Sequence, residues 1–145
     1  MEMHVGIVGM GLMGQAFIFN MRKSGFSVQG FDVDSARMDD LKNMGGHPVD
    51  SPASVARGVK WVITSLPNSG ILREVVFGSR GIVEGAKEGL YIIDTTTSRP
   101  EDSENISSEL AGCGIRFQPA WKGWWKRLLF ARQPQRRPLG GDWHV

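Results

Sequence analysis

Residues 9–14 read Gly-Met-Gly-Leu-Met-Gly and stand directly after a short apolar run, residues 4–8. A G-x-G-x-x-G pattern alone is a weak signal. Placed between a strand and a helix, it constrains this chain more than any other stretch. Gly9 permits the tight turn that must follow the strand. Gly11 lacks a Cβ, so a pyrophosphate can approach the backbone, and Gly14 lets the helix pack close to the strand. Free N–H groups at the helix start, together with the positive end of its dipole, favour an anion there. The cofactor-binding candidates are therefore Gly9, Met10, Gly11, Leu12, Met13 and Gly14. The competing reading is a glycine-rich turn with no ligand.

The stretches on either side alternate strand with helix. The pattern predicts strands at residues 4–8, 27–31, 47–49, 61–66, 90–93 and 115–117. It predicts helices over residues 12–24, over about 35–44, from Pro52 to a stop at Gly58, over 71–77 and over 100–111. Gly25, Gly45 and Gly78 sit where helix C-caps belong, and Ser51-Pro52 fits an N-cap and first turn. Strand-helix alternation of this kind means βαβ units. The expected class is α/β, a doubly wound parallel sheet.

Asp32 ends the second predicted strand, 23 positions after Gly9. A carboxylate there can accept hydrogen bonds from ribose hydroxyls and repels a 2′-phosphate, which favours NAD over NADP. Arg37 could still meet a 2′-phosphate, so NADP stays open, and a solvated or capping aspartate is the plainer alternative. Ligands of open α/β sheets bind beyond the carboxyl ends of the strands. Residues 66–69 and 94–98 occupy two further such ends, and their hydroxyls and amides could bond ribose or nicotinamide. Such a run is also what a Ser/Thr turn or helix cap looks like.

Composition narrows the classes. The chain has 145 residues, 41% apolar and 22% charged, which suits one ordinary domain and argues against disorder. No run approaches a membrane span. The start of the chain reads as a strand and not as a secretory signal, so a cytoplasmic location is expected. One cysteine, Cys113, argues against a disulfide framework or a thiolate metal site. The net charge of +2 is uneven. Residues 118–145 carry six Lys and Arg against one Asp, and four of the five tryptophans; residues 1–117 carry eleven Lys and Arg against fourteen Asp and Glu. A uniform nucleic-acid surface is therefore not indicated.

Other candidates are weak. His4, His47 and His144 form no metal spacing, so no metal ligand is assigned. Cys113 has no neighbour that would activate it, and Ser65 is not in a hydrolase elbow. The side chains of Met10, Met13 and Met21 read as packing.

Taken together, several motifs resemble the β-hydroxyacid dehydrogenases, which include the 3-hydroxyisobutyrate dehydrogenases and tartronate semialdehyde reductases. The carriers are Val5-Gly6-Ile7-Val8-Gly9-Met10-Gly11-Leu12-Met13-Gly14, Gly30-Phe31-Asp32-Val33-Asp34 and Ile63-Thr64-Ser65-Leu66-Pro67-Asn68-Ser69. They continue with Gly81-Ile82-Val83-Glu84-Gly85-Ala86-Lys87 and Ile93-Asp94-Thr95-Thr96-Thr97-Ser98-Arg99-Pro100. The resemblance covers roughly residues 3–117. It implies a Rossmann domain binding NAD or NADP, with Leu66 and Pro67 flanking the cofactor and Thr96 or Thr97 beside the nicotinamide. It also implies an oxidoreductase lineage moving hydride between the cofactor and a small β-hydroxy acid or semialdehyde.

The match ends where the family continues with Asp-Ala-Pro-Val-Ser-Gly-Gly. Here the chain reads Gln118-Pro119-Ala120-Trp121-Lys122-Gly123-Trp124-Trp125. The family's catalytic lysine has no motif match, Lys122 and Lys126 stand in unrelated context, and no catalytic residue is assigned. The family's all-helical C-terminal domain is also without a match. The expected organisation is a dinucleotide-binding Rossmann domain over residues 1–117 and an irregular, basic, Trp-rich tail over residues 118–145. The tail is expected to be out of register with an ancestral reading frame; the alternative is a basic aromatic segment that binds an acidic partner or membrane surface. The chain is expected to bind cofactor without turnover. The readings beside this one are a non-catalytic nucleotide-binding module and an interaction protein acting through its tail. Oligomer formation stays open.

Overall fold

The computed structural model describes residues 3–120. Its elements run β1 (His4–Val8), α1 (Leu12–Lys23), β2 (Ser27–Phe31), α2 (Ser35–Asn43), β3 (His47–Pro48), α3 (Pro52–Ala56), β4 (Trp61–Thr64), α4 (Ser69–Phe77), α5 (Ile82–Gly85), β5 (Tyr91–Asp94), α6 (Pro100–Ala111) and β6 (Arg116–Pro119). The six strands form one sheet in the order β3-β2-β1-β4-β5-β6, and every neighbouring pair is parallel. This is the doubly wound α/β arrangement expected from the alternation.

Strand alternation divides the core between two faces. Val5, Ile7, Ile63 and Ile93 pack with Ile18 and Met21 of α1 and Leu41 of α2. Val8, Val62 and Ile92 pack with Val55 of α3, Leu72 and Val76 of α4, Ile82 of α5, and Ile106 and Leu110 of α6. Adjacent residues such as Val62 and Ile63 thus serve opposite layers, because the side-chain period of a strand is two. A sheet buried on both sides needs continuous apolar runs, which is what these strands supply.

The order reverses at β1. Its crossover through α1 leads to β2 on one side, while β4 continues through α4 and α5 to β5 on the other. Loops leaving the carboxyl ends of β1 and β4 therefore diverge and open a crevice between them.

The boundaries differ from the pattern in informative places. β4 stops at Thr64 and not at Leu66, because the Leu66 N–H turns to the Thr96 hydroxyl, 3.2 Å away, and leaves the ladder. α4 begins at Ser69, two residues early, because Asn68 Oδ1 accepts the Ile71 N–H at 2.9 Å. α3 ends at Ala56: Gln29 Nε2, reaching over from β2, donates to the carbonyls of Val55 (2.7 Å) and Arg57 (2.9 Å). The four-residue helix α5 was not foreseen. β6 runs to Pro119, with Gln118 paired to Ile93 and Pro119 to Asp94, so the strand carries on past Phe117. The expectation for the tail lies outside the described residues from Trp121 onward. Among the described residues no helix is long and apolar enough to cross a membrane.

Candidate functional site

The crevice is built first from the turn between β1 and α1. Gly9 has φ +90°, a left-handed conformation that side chains resist. A Cβ there would also run into the carbonyl oxygen of Ser65 after β4. The Gly9 N–H donates to Phe31 O at 3.0 Å, which ties the turn to the end of β2. A Cβ on Gly14 would collide with the Gly9 carbonyl, so this glycine sets how closely α1 approaches the turn.

Gly11 is different. A Cβ built on it meets nothing within 4 Å. Neither its backbone conformation nor its neighbours demand a glycine. It is the N-cap of α1, and no side chain caps that helix. The N–H of Gln15 closes back on Gly11 O at 2.9 Å, so those of Leu12, Met13 and Gly14 have no carbonyl behind them in the helix. The first turn carries no acidic residue. Uncapped N–H groups, the positive end of the dipole and an unfilled approach together suit an anion such as a pyrophosphate.

Asp32 lies beside this turn. Its Oδ2 accepts the Met10 N–H at 2.7 Å and its Oδ1 accepts the Asp34 N–H at 2.9 Å. Two bonds leave roughly two of the about four lone-pair positions of the carboxylate open, enough for a pair of vicinal hydroxyls. Arg37, on the first turn of α2, stands 3.8 Å from Asp40. Asp34 caps α2 through the Ala36 N–H, so of the two neighbouring aspartates one closes a helix and the other faces the crevice turn.

The methionines split. Met10 and Met21 are buried as expected, but Met13 is 58% exposed, and Leu12 (87%) and Val33 (93%) are exposed beside it. Met13 is therefore not a packing residue within the described residues. It lies exposed in the first turn of α1 with Leu12.

The ends of β4 and β5 form the other side. Most polar groups there are already engaged. Asn68 caps α4, Ser69 Oγ donates to Asp102 at 2.9 Å, and Thr95 Oγ1 donates to Thr64 O at 2.9 Å. Ser98 Oγ lies 3.4 Å from Thr96 O. The turn-and-cap reading describes Asn68 and Ser98, whereas Ser69 and Thr95 bond to residues distant in sequence. Thr96 joins the two segments by accepting the Leu66 N–H. Thr97 is exposed, and its hydroxyl makes no hydrogen bond among the described residues. Pro67 is also exposed.

Asp94 belongs to the run 94–98 expected at a strand end, but neither it nor Thr64 carries an assigned role from the sequence. Both are buried at the carboxyl ends of apolar strands, and Thr64 Oγ1 donates to Asp94 Oδ1 at 2.8 Å. Burial raises the Asp94 pKa, against the lowering effect of hydrogen bonds from Thr96 and Thr64. The signal that could have found them is polar residues closing two neighbouring runs of Val and Ile.

The described lysines and histidines lie away from this crevice. Among the described residues the lysines are Lys23 and Lys42 in the last turns of α1 and α2, and Lys60 and Lys87 ahead of β4 and β5. The histidines, His4 and His47, begin β1 and β3. In a parallel sheet all six positions are at the amino ends of the strands, opposite the crevice.

Comparison with known proteins agrees with this geometry. A family described as the NAD binding domain of 6-phosphogluconate dehydrogenase matches residues 4–120. The 3-sulfolactaldehyde reductase of Escherichia coli (strain K12) is 29% identical over 111 residues, 77% of this chain and 37% of that protein. The mitochondrial 3-hydroxyisobutyrate dehydrogenase of Mus musculus is 34% identical over 116 residues, 80% of this chain and 35% of that protein. The crystal structure of a 3-hydroxyisobutyrate dehydrogenase from Salmonella typhimurium superposes with a TM-score of 0.74 at 25% identity, over 80% of this chain and 40% of that one. The chain thus spans about two-fifths of the length of the proteins it matches.

Proposed function

This chain belongs to the family of the NAD binding domain of 6-phosphogluconate dehydrogenase, and on that premise we propose that its crevice holds a nicotinamide dinucleotide, NAD in preference to NADP. The observation that carries the reading is Gly11. It is an exposed glycine with open space where its side chain would be, at the mouth of a helix that no side chain caps.

The roles follow from position. Gly11 and the N–H groups of Leu12, Met13 and Gly14 receive the pyrophosphate, whose charge the α1 dipole favours. Gly9 and Gly14 hold the turn in place, and Met10 presents its N–H to Asp32 so that the carboxylate stays beside the loop. Asp32 accepts the adenosine ribose hydroxyls with its remaining lone pairs and repels a 2′-phosphate. Leu66 and Pro67 flank the cofactor on the β4 side, with Thr97 across from them. When bound, the nicotinamide supplies hydride transfer.

Moving a hydroxyl proton needs an acid or base near the reacting carbon. The lysines and histidines of the described residues are all at the opposite end of the sheet. With neither among the described residues at the crevice, we propose that the chain binds the dinucleotide without turning it over, within a lineage whose substrates are small β-hydroxy acids or semialdehydes. Titration with NADH and NADPH, followed by nicotinamide fluorescence, tests the binding: NADH saturates, and NADPH binds more weakly. Failure to bind either dinucleotide refutes the reading. A robust rate of NADH-dependent reduction of a small semialdehyde refutes the absence of turnover.

A further inference from the structure

Asp94 is a carboxylate that the sheet itself does not require. It ends β5 and is 2% exposed. A β-branched apolar residue would continue the strand without the desolvation that a buried carboxylate carries. What the carboxylate supplies is a junction. Its Oδ1 accepts the Thr64 hydroxyl at 2.8 Å and the Thr96 N–H at 3.0 Å. Thr96 Oγ1 in turn accepts the Leu66 N–H at 3.2 Å. Thr95 adds its N–H and its hydroxyl to Thr64 O, at 2.8 and 2.9 Å. These bonds lie at or beyond the last ladder pair of β4 and β5, Thr64 with Asp94. They fasten the segment after β4 to the segment after β5 just where both enter the crevice.

The position of this junction in the site follows from the topology. Asp32, at the end of β2, marks the adenosine side. The α1 N-terminus at β1 marks the pyrophosphate. A dinucleotide laid across the reversal point must extend its second half over the ends of β4 and β5.

We propose that Asp94 is a positioning residue: acting through Thr96, it sets the separation between residues 65–67 and Thr97, and so shapes the crevice for the nicotinamide half of the dinucleotide. The inference rests on the dinucleotide reading above. Asp94 touches no ligand in this account. It fixes the Thr96 hydroxyl on the Leu66 N–H, which leaves Thr97 as the exposed hydroxyl of the pair.

The test is NADH titration of the full chain alongside thermal melting, for wild type, Asp94→Asn, Asp94→Leu, Thr96→Ser and Thr96→Val. Asn keeps an Oδ1 that accepts both bonds, and Leu keeps the size and deletes the acceptor; Ser keeps the linking hydroxyl and Val deletes it. A misplaced wall weakens binding by about tenfold. Asp94→Leu should bind NADH about tenfold more weakly with a melting temperature close to wild type, since the relieved desolvation offsets the lost bonds. Asp94→Asn and Thr96→Ser should bind like wild type, and Thr96→Val should follow Asp94→Leu. Wild-type affinity in folded Asp94→Leu or in Thr96→Val overturns the proposal. So does a loss of affinity that only parallels a fall in melting temperature, which is the mark of a merely structural role. Should wild type itself bind no dinucleotide, the functional reading falls and this inference with it; binding by wild type with unaffected variants removes the inference alone.

Discussion

Replacing Gly11 by Ala separates a glycine required by the ligand from one required by the fold. The backbone there is extended, φ −67° and ψ −164°, which alanine adopts freely. The new methyl meets nothing within 4 Å. Alanine is a poorer N-cap than glycine by about 0.5–1 kcal/mol. Reduced freedom of the unfolded chain offsets about 0.4–1 kcal/mol of that. The melting temperature should therefore move by less than about 4 °C. Binding should respond differently. On the proposed reading the methyl stands over the N–H groups assigned to the pyrophosphate, and weakening one charge-assisted hydrogen bond costs about 1.5–3 kcal/mol. That corresponds to roughly 10- to 100-fold in the NADH Kd. Fluorescence titration and a melting curve on the same sample read both quantities. Gly9→Ala is the contrasting variant, because φ +90° and the Ser65 carbonyl oppose it in the free chain. It should lose about 1–3 kcal/mol from the backbone conformation alone and melt visibly earlier. A Gly11→Ala chain that melts like wild type and binds NADH within twofold of it refutes the placement of the pyrophosphate at this turn.

Further outcomes are expected. Asp32→Ala should weaken NADH by about tenfold or more and shift the NADH/NADPH affinity ratio toward NADPH, since hydrogen bonds to a charged group are worth about 1.5–3 kcal/mol; an unchanged ratio rejects Asp32 as the selector. Burial raises the Asp94 pKa above its ordinary 3.8, so the native chain holds this proton more tightly than the unfolded one and the ionised carboxylate weakens the fold at neutral pH. Relative to Asp94→Asn, the wild-type melting temperature should rise as pH falls through the raised value, with the gain complete below 3.8; a flat difference between neutral pH and that value contradicts the burial argument. A chain ending at Ala120 should bind NADH as the 145-residue chain does, and equal recovery of both chains on liposomes or RNA removes the tail as an interaction segment. Reading the encoding DNA past codon 117 in the other frames should recover an Asp-Ala-Pro-Val-Ser-Gly-like run; its absence from every frame requires the basic Trp-rich segment to be taken as selected.

The glycine turn and the strand-helix order were legible in the sequence because they are local. A β-branched run followed by Gly9, Gly11 and Gly14 has few other ways to fold, and strands such as Val62-Ile63 announce burial on both faces by having no polar alternate. Asp32 was legible for the same reason: it falls at a strand end at a set distance from the turn. The resemblance added the order of the later motifs, which periodicity cannot rank by function.

What the tertiary structure decided was which polar group does which task. Asp32 and Asp34 are near neighbours in sequence, yet one stands at the crevice and the other caps α2. Thr95, Thr96 and Thr97 read alike along the chain. Only the parallel pairing of β4 with β5 sets Thr95 on the Thr64 carbonyl and Thr96 on the Leu66 N–H, and leaves Thr97 exposed. Met13 looked like core until α1 was seen to bury Ile18 and Met21 and turn Met13 outward. The placement of every described lysine and histidine at the far end of the sheet likewise follows from strand direction. Residue type and spacing specify local geometry, whereas contacts between residues about thirty apart exist only once the sheet has assembled, because no local interaction encodes the hydrogen bonds that a parallel crossover creates.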